Sequence, residues 1–292
     1  MILVTGATGF IGNHGILNLL NKGIEVLGIT RNNNNVNFPS INIDISNKNE
    51  LTKINPTCVV HTAANIPKSE NDFKFSAKIN SEIDNNIIEF CREKNLPLIY
   101  ISSTSIYGIT NEMIDEETEP NPENEYAIAK LETEEKISRC LNKYIILRIN
   151  APFGKFQRTN NVIKIFINNL LNNRDAIIHG TGNRKQEFTY VTNIAFAIEC
   201  AINNISKVKG IFNISGGSPI SMLNLAQLIK HKLPLTTGNI VFSSQIDCRE
   251  KENVHFDLNK AKRLLNWEPL LSLEEGLNCF IEDLKNENSN NF

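Results

Sequence analysis

MILVTGATGFIG, residues Met1 to Gly12, decides the fold of this chain. The apolar run Ile2 to Val4 predicts a buried strand, and the apolar-faced stretch Phe10 to Asn21 predicts a helix. Gly6, Gly9 and Gly12 fall at the junction, spaced GxxGxxG. Glycine permits a tight turn and lets backbone N–H groups approach a pyrophosphate at a helix N-terminus. A glycine triplet alone says little. One that follows a strand and opens a helix reads as a dinucleotide-binding loop. Its expected contacts are Gly6, Thr8, Gly9, Phe10, Ile11 and Gly12. The stretch has no basic leader and turns glycine-rich at once, so it reads as strand and loop rather than signal peptide.

Downstream, short apolar runs alternate with longer amphipathic stretches. Strands are predicted over Glu25 to Thr30, Ile41 to Asp44, Thr57 to His61, Pro97 to Ser103 and Tyr144 to Ile149. Helices are predicted over Lys48 to Ile54, Asp72 to Lys94 and Glu123 to Leu141. The strand runs are continuous in Val, Ile and Leu, as expected where helices cover both faces. Such alternation is the signature of an α/β doubly wound parallel sheet, the Rossmann fold.

Beyond residue 150 the rhythm loosens. Helices are predicted over Asn161 to Leu171, Thr192 to Asn203, Ser221 to Lys232, Leu258 to Leu265 and Leu273 to Leu284. Strands are predicted over Ala176 to His179, Ile211 to Ile214 and Asn239 to Phe242. The expected organisation is a dinucleotide-binding domain over 1–150, with a returning segment near 176–205. Residues 151–292 then form mainly a smaller α/β substrate-binding lobe, with a cleft between the two. The tail Lys285 to Phe292 is polar and expected to fray. Asn32 to Asn35 reads as solvated loop.

Composition narrows the function classes. The chain has 292 residues, 41% hydrophobic and 21% charged, ordinary for a globular protein with a real core. A net charge of -2 disfavours nucleic acid as a partner. No run approaches the roughly 18 apolar residues of a membrane span. The six cysteines are scattered without a CxxC pair, which reads as free thiols in a reducing cytoplasm. His179, His231 and His255 show no ligand spacing, so no metal is expected. His14 and His61 are read as cofactor neighbours or as locally hydrogen-bonded.

The end of the second strand bears on the cofactor. An acid there would bind a ribose 2′-hydroxyl, whereas a basic residue accommodates a 2′-phosphate. The strand ends Thr30-Arg31 with no acid, so NADP is expected, with NAD as the alternative.

Tyr126 and Lys130 share one face of the helix Glu123 to Leu141. An ammonium beside a phenol lowers its pKa and makes it a usable acid or base. Ser103 ends the preceding sheet strand, where a hydroxyl faces the crevice that binds ligands in such sheets. Ser103, Tyr126 and Lys130 are therefore the candidate catalytic set.

With these residues in place, the sequence resembles the extended short-chain dehydrogenase/reductase family, in its nucleotide-sugar epimerase, dehydratase and reductase branch. The resemblance runs nearly end to end. Asn42 to Ile45 resembles the segment that meets adenine, which implies contacts from Asp44 and Ile45. Thr62, Ala63 and Ala64 resemble the strand end lining the cofactor, and Asn80 the family's helical asparagine. Glu187 to Val191 is similar to a domain-junction segment, Phe212 to Gly217 to a later strand, and Leu264 to Pro269 to a C-terminal signature.

The resemblance implies a nucleotide-diphosphate sugar substrate, contacted by Ser103, Thr104, Asn150, Arg184 and Arg249. Where the family carries its junction arginine this chain has Gln186, with Arg184 two residues earlier. Where sugar dehydratases carry an Asp-Glu pair it has Thr104 and Ser105, which argues against water elimination. The implied activity is that of an epimerase or a 4-ketoreductase, Tyr126 moving a proton while the cofactor exchanges a hydride with the sugar. A sugar dehydratase, or a non-catalytic cofactor-binding regulator of the same fold, is the alternative. A homodimer paired through the helices Asp72 to Lys94 and Glu123 to Leu141 is also implied.

Overall fold

The computed structural model describes residues 1–31, 36–110 and 112–289. Asn32 to Asn35 lie outside the described residues. Seven strands form the central sheet: β1 (Ile2–Thr5), β2 (Val26–Thr30), β3 (Ser40–Asn42), β4 (Cys58–His61), β5 (Leu98–Ser103), β6 (Tyr144–Ile149) and β7 (Gly210–Ile214). Their order across the sheet is β7-β6-β5-β4-β1-β2-β3, and every pair is parallel. The order reverses between β1 and β4. In open parallel sheets that reversal opens a crevice at the strands' carboxyl ends, where ligands bind.

Helices cover both faces, which is why the strand runs are apolar throughout. On one face lie α1 (Phe10–Asn21), α6 (Val191–Asn204) and α8 (Asn259–Leu265). Ile16, Leu19, Ile194, Ile198, Leu265 and Trp267 join Val4, Val60 and Leu147 in one core there. On the other face lie α2 (Lys48–Leu51), α3 (Phe73–Glu93) and α4 (Glu125–Cys140). Leu51, Ile87, Phe90 and Ile137 pack against Leu3, Leu98 and Ile146.

The smaller lobe is built from α5 (Val162–Leu171), α7 (Met222–His231) and α9 (Leu273–Ser289) around short strand pairs. Its core holds Phe153, Phe166, Ile167, Leu225 and Phe280. The segment expected to return to the first domain near 176–205 divides. Ala176–Ile178 stays in the lobe, paired with Ile240–Phe242. The return begins at α6, which packs on α1, and ends with β7 at the sheet edge. Trp267 is fully buried against this layer, and its Nε1 donates to Asn193 O at 3.0 Å. Of the tail expected to fray, α9 carries helix through Ser289, and 290–292 lie outside the described residues. Among the described residues no helix is long and apolar enough to cross a membrane.

Candidate active site

The glycine loop sits at the crevice. Gly6 has φ +66°, and a Cβ there would stand 2.7 Å from Ala63 Cα. Gly9 N donates to Gly6 O at 2.8 Å and begins α1 as its N-cap, with no side-chain cap and no acid in the first turn. The first N–H groups of α1 are thus left for an anion, on the positive end of the helix dipole. Thr62 buttresses the loop, its hydroxyl donating to Thr5 O at 2.7 Å. A dinucleotide pyrophosphate fits this cradle: the glycines let the loop pack backbone to backbone against the end of β4, and neither a capping side chain nor an acid competes for the N–H groups at the start of α1.

Other expected cofactor residues divide. Arg31 and Asp44 are both exposed, and Thr30 is buried. The Ser46 backbone N–H holds the Asp44 carboxyl below its usual value, helped by the Ser46 side chain and the Arg31 charge. Ile45 is buried in the core, its carbonyl accepting from Asn86 Nδ2 at 3.1 Å. Ala64 is exposed. Asn80 is buried and works structurally: its Oδ1 accepts from Asn65 N at 2.7 Å and its Nδ2 donates to Asn65 O at 3.0 Å.

Ser103 ends β5, as expected, and caps the 3-10 turn Thr104–Tyr107 by accepting from Ser105 N at 3.1 Å. α4 packs against both β5 and this turn, which brings Tyr126 and Lys130 to the same end of the sheet. Asn124 starts α4, its Oδ1 accepting from Ala127 N at 3.0 Å. Tyr126 is half-buried, and no hydrogen bond to its hydroxyl occurs among the described residues. Lys130 is only 2% exposed; its Nζ donates to Tyr100 Oη at 2.7 Å and to Ile101 O at 3.2 Å.

This arrangement corrects the expected tuning of Tyr126. Burial raises its pKa, and the Asp84 carboxylate raises it further. The phenol is therefore held protonated at neutral pH, not lowered toward it; Lys130 Nζ donates to Tyr100 Oη instead.

Asn150 lies inside the fold. Its side chain is buried and committed: Nδ2 donates to Glu187 O at 2.9 Å and to Ser215 Oγ at 3.0 Å. Its Oδ1 accepts from Thr104 Oγ1 at 3.2 Å, so both expected substrate contacts are tied to each other.

Arg184 and Arg249 meet at one carboxylate in the lobe. Arg184 Nε donates to Asp247 at 2.8 Å, and its Nη1 lies 3.9 Å from Glu252 Oε2. Arg249 Nε donates to Glu252 Oε1 at 2.6 Å. A cavity of about 220 Å³ beside Arg184 is lined by Val162, Phe166, Ile178, His179 and Met222. A larger one, about 460 Å³, lies beside the glycine loop, between Thr8, Asn13, Gln157, Arg158 and Lys164. Among the described residues no group of three or more His, Cys, Asp or Glu could hold a metal ion.

Sequence reasoning missed two buried networks. In one, Arg148 Nη2 donates to Glu134 at 2.6 Å and Nη1 to Tyr107 Oη at 2.6 Å, with Ser102 also bonded to Glu134. This ties β5, α4 and β6 together behind the crevice. Its sequence signals were Arg148, a lone charge in the apolar run Tyr144–Ile149, and Glu134, one helical turn past Lys130. In the other, Asp84 on α3 joins His61, Tyr100 and Thr133.

A dinucleotide cradle at the switch point, faced by serine, tyrosine and lysine on adjoining elements, is the architecture of the extended short-chain dehydrogenase/reductase class. Residues 2–215 match the NAD dependent epimerase/dehydratase family, and the chain belongs to that enzyme family. It is 33% identical to a Methanocaldococcus jannaschii protein provisionally named UDP-glucose 4-epimerase, over 99% of both chains. It is 26% identical to an Escherichia coli dTDP-4-dehydro-6-deoxyglucose reductase, over 97% of each. Among solved structures, the Thermotoga maritima UDP-glucose 4-epimerase with UDP-glucose superposes with a TM-score of 0.86. That structure is 27% identical and covers 98% of this chain and 99% of its own. A Bacillus cereus UDP-glucuronic acid 4-epimerase in complex with NAD gives 0.84 at 26% identity, over 98% and 99%.

Proposed function

We propose that this chain is a nucleotide-sugar 4-epimerase that keeps its nicotinamide cofactor bound between turnovers. The observation that carries the reading is the convergence of Ser103, Tyr126 and Lys130 at the carboxyl end of β5, opposite the glycine loop. A nicotinamide held there would supply a reversible hydride acceptor for the sugar carbon. Tyr126 moves the proton at the sugar C4 oxygen, and Ser103 orients that oxygen. Gly6, Gly9, Phe10, Ile11 and Gly12 hold the pyrophosphate. The relatives' UDP-sugar names make a uridine diphosphate hexose the substrate to try first, with Arg184 and Arg249 reaching its diphosphate from the lobe.

A 4-ketoreductase using NADPH is the second reading, and two observations favour it. Arg31, one residue past β2, is exposed, where it suits a 2′-phosphate. A Tyr126 phenol held protonated suits donation to a keto oxygen. Denaturing the purified protein and identifying the released cofactor separates the two. Retained NAD supports the epimerase; an empty site preferring NADPH supports the reductase. Failure to bind either cofactor would end both.

The outer faces of α3 and α4, with Phe75 63% and Ile128 42% exposed, are the surface we assign to a second copy of the chain. A monomer mass in solution scattering would remove that assignment.

A further inference from the structure

α3 buries polar residues where a sheet-facing helix ordinarily buries apolar ones. Ser76, Asn80 and Asp84, each one turn apart, share the inward side with Ile87, Ile88 and Cys91. Ser76 and Asn80 are spent on Asn65. Asp84 has no such local task. It is 2% exposed, and its two oxygens collect partners from three elements. Oδ2 accepts from Tyr100 Oη on β5 at 2.6 Å and from Thr133 Oγ1 on α4 at 3.1 Å. Oδ1 lies 2.8 Å from His61 Nε2 on β4.

Tyr100 is the bridge to the active site. Its hydroxyl donates to Asp84 and accepts from Lys130, whose Nζ also rests 4.4 Å from the Tyr100 ring centroid. A buried ammonium needs a counter-charge. Two carboxylates act on Lys130, Asp84 and Glu134. Glu134 is paired with Arg148, also buried, which cancels its charge. Asp84 has no arginine. The groups facing it are His61, Tyr100, Thr133, Tyr126 and Lys130.

We propose that Asp84 is a positioning residue: through the Tyr100 hydroxyl it seats Lys130 between β5 and α4 and supplies its counter-charge. The inference rests on reading Lys130 as part of the site. Burial pulls the Lys130 ammonium down, and Asp84, ahead of Glu134, pushes it back up. Burial also works to raise the Asp84 carboxyl. The Lys130 charge and the His61 and Tyr100 bonds outweigh it, holding that carboxyl below its usual value. Removing the Asp84 charge lowers Lys130 and Tyr126 together, so the basic limb of any activity profile moves to lower pH.

The test is a lysine titration followed by NMR on protein carrying carbon-13 lysine side chains, with Lys130→Arg assigning the signal. Asp84→Asn is expected to move the Lys130 midpoint down by about one pH unit or more. A purely structural role would lower the melting temperature and leave that midpoint in place. A folded Asp84→Asn with an unmoved midpoint overturns the proposal. Should Asp84→Asn fail to fold, Tyr100→Phe carries the test, since it removes the bridge and leaves Asp84 with His61 and Thr133. A downward shift there supports the relay, and an unmoved midpoint overturns it. No substrate or cofactor enters the measurement. Absence of turnover on nucleotide sugars would therefore sink the proposed function and leave this result standing.

Discussion

Gly12 packs directly onto the Gly6 carbonyl: a Cβ at Gly12 would stand 2.3 Å from that oxygen and 2.6 Å from Thr62 Oγ1. The first turn of α1 and the strand end after β4 are therefore pressed into one cradle, with no room for a methyl group. Gly12→Ala should cost about 1–3 kcal/mol by overpacking. It should also weaken dinucleotide binding, because the N–H groups move with the loop. Urea unfolding and a fluorescence titration with NADH check the two effects. Unchanged affinity would mean that the loop does not hold the cofactor.

Tyr126→Phe removes the mobile proton and leaves the ring. Turnover should fall by about 10²–10⁴-fold, the usual share of acid–base catalysis. Cofactor affinity should stay near wild type, since the cradle at α1 is untouched. Steady-state kinetics beside a binding titration reads both.

Arg31 sits at the surface end of β2, facing the Asp44 charge. If it takes a 2′-phosphate, Arg31→Ser should weaken NADPH by roughly ten- to a hundredfold, the worth of a charge-assisted hydrogen bond. NADH affinity should barely change. Equal losses for both cofactors would assign Arg31 to the adenine instead.

Stability should decline in alkali. Burial raises the phenols of Tyr100, Tyr107, Tyr126 and Tyr190 above their ordinary value. In the unfolded chain they ionise near pH 10, roughly the free tyrosine value. Folded, they keep their protons to higher pH. Above about pH 10 the unfolded chain therefore binds fewer protons, and stability falls as pH rises. Below it their contribution is constant. Urea midpoints near pH 8 and near pH 10.5, on either side of that value, should differ, and the Tyr126→Phe variant should lose less.

Much of the fold was legible because its elements are long and locally consistent. Tyr144–Ile149 falls where the apolar run puts it, and α3 and α4 shift by one or two residues at their ends. The two-residue strands Lys185–Gln186 and Ile220–Ser221 left no signal, since two residues show no period. The placement of Ser103 at a strand end and of Tyr126 and Lys130 on one helix was legible from residue type and spacing. Their tuning was not, because it comes from burial in the folded chain and then from Asp84, forty-two and forty-six residues from Tyr126 and Lys130 in sequence and linked to Lys130 by hydrogen bonds through Tyr100. The partners of Asn150 were hidden for a related reason. A polar residue at a strand end reads the same whether its amide faces the crevice or Glu187 and Ser215.

β7 and Trp267 are late in the chain, yet they complete the layer that α1 begins. A nascent chain emerged only to residue 150 would leave β6 as an unpaired sheet edge, and Ile16 and Leu19 without α6 above them. Such edges recruit other strands. The dinucleotide domain therefore cannot be finished on the ribosome ahead of the lobe, and the half-made chain is the form most in need of a chaperone.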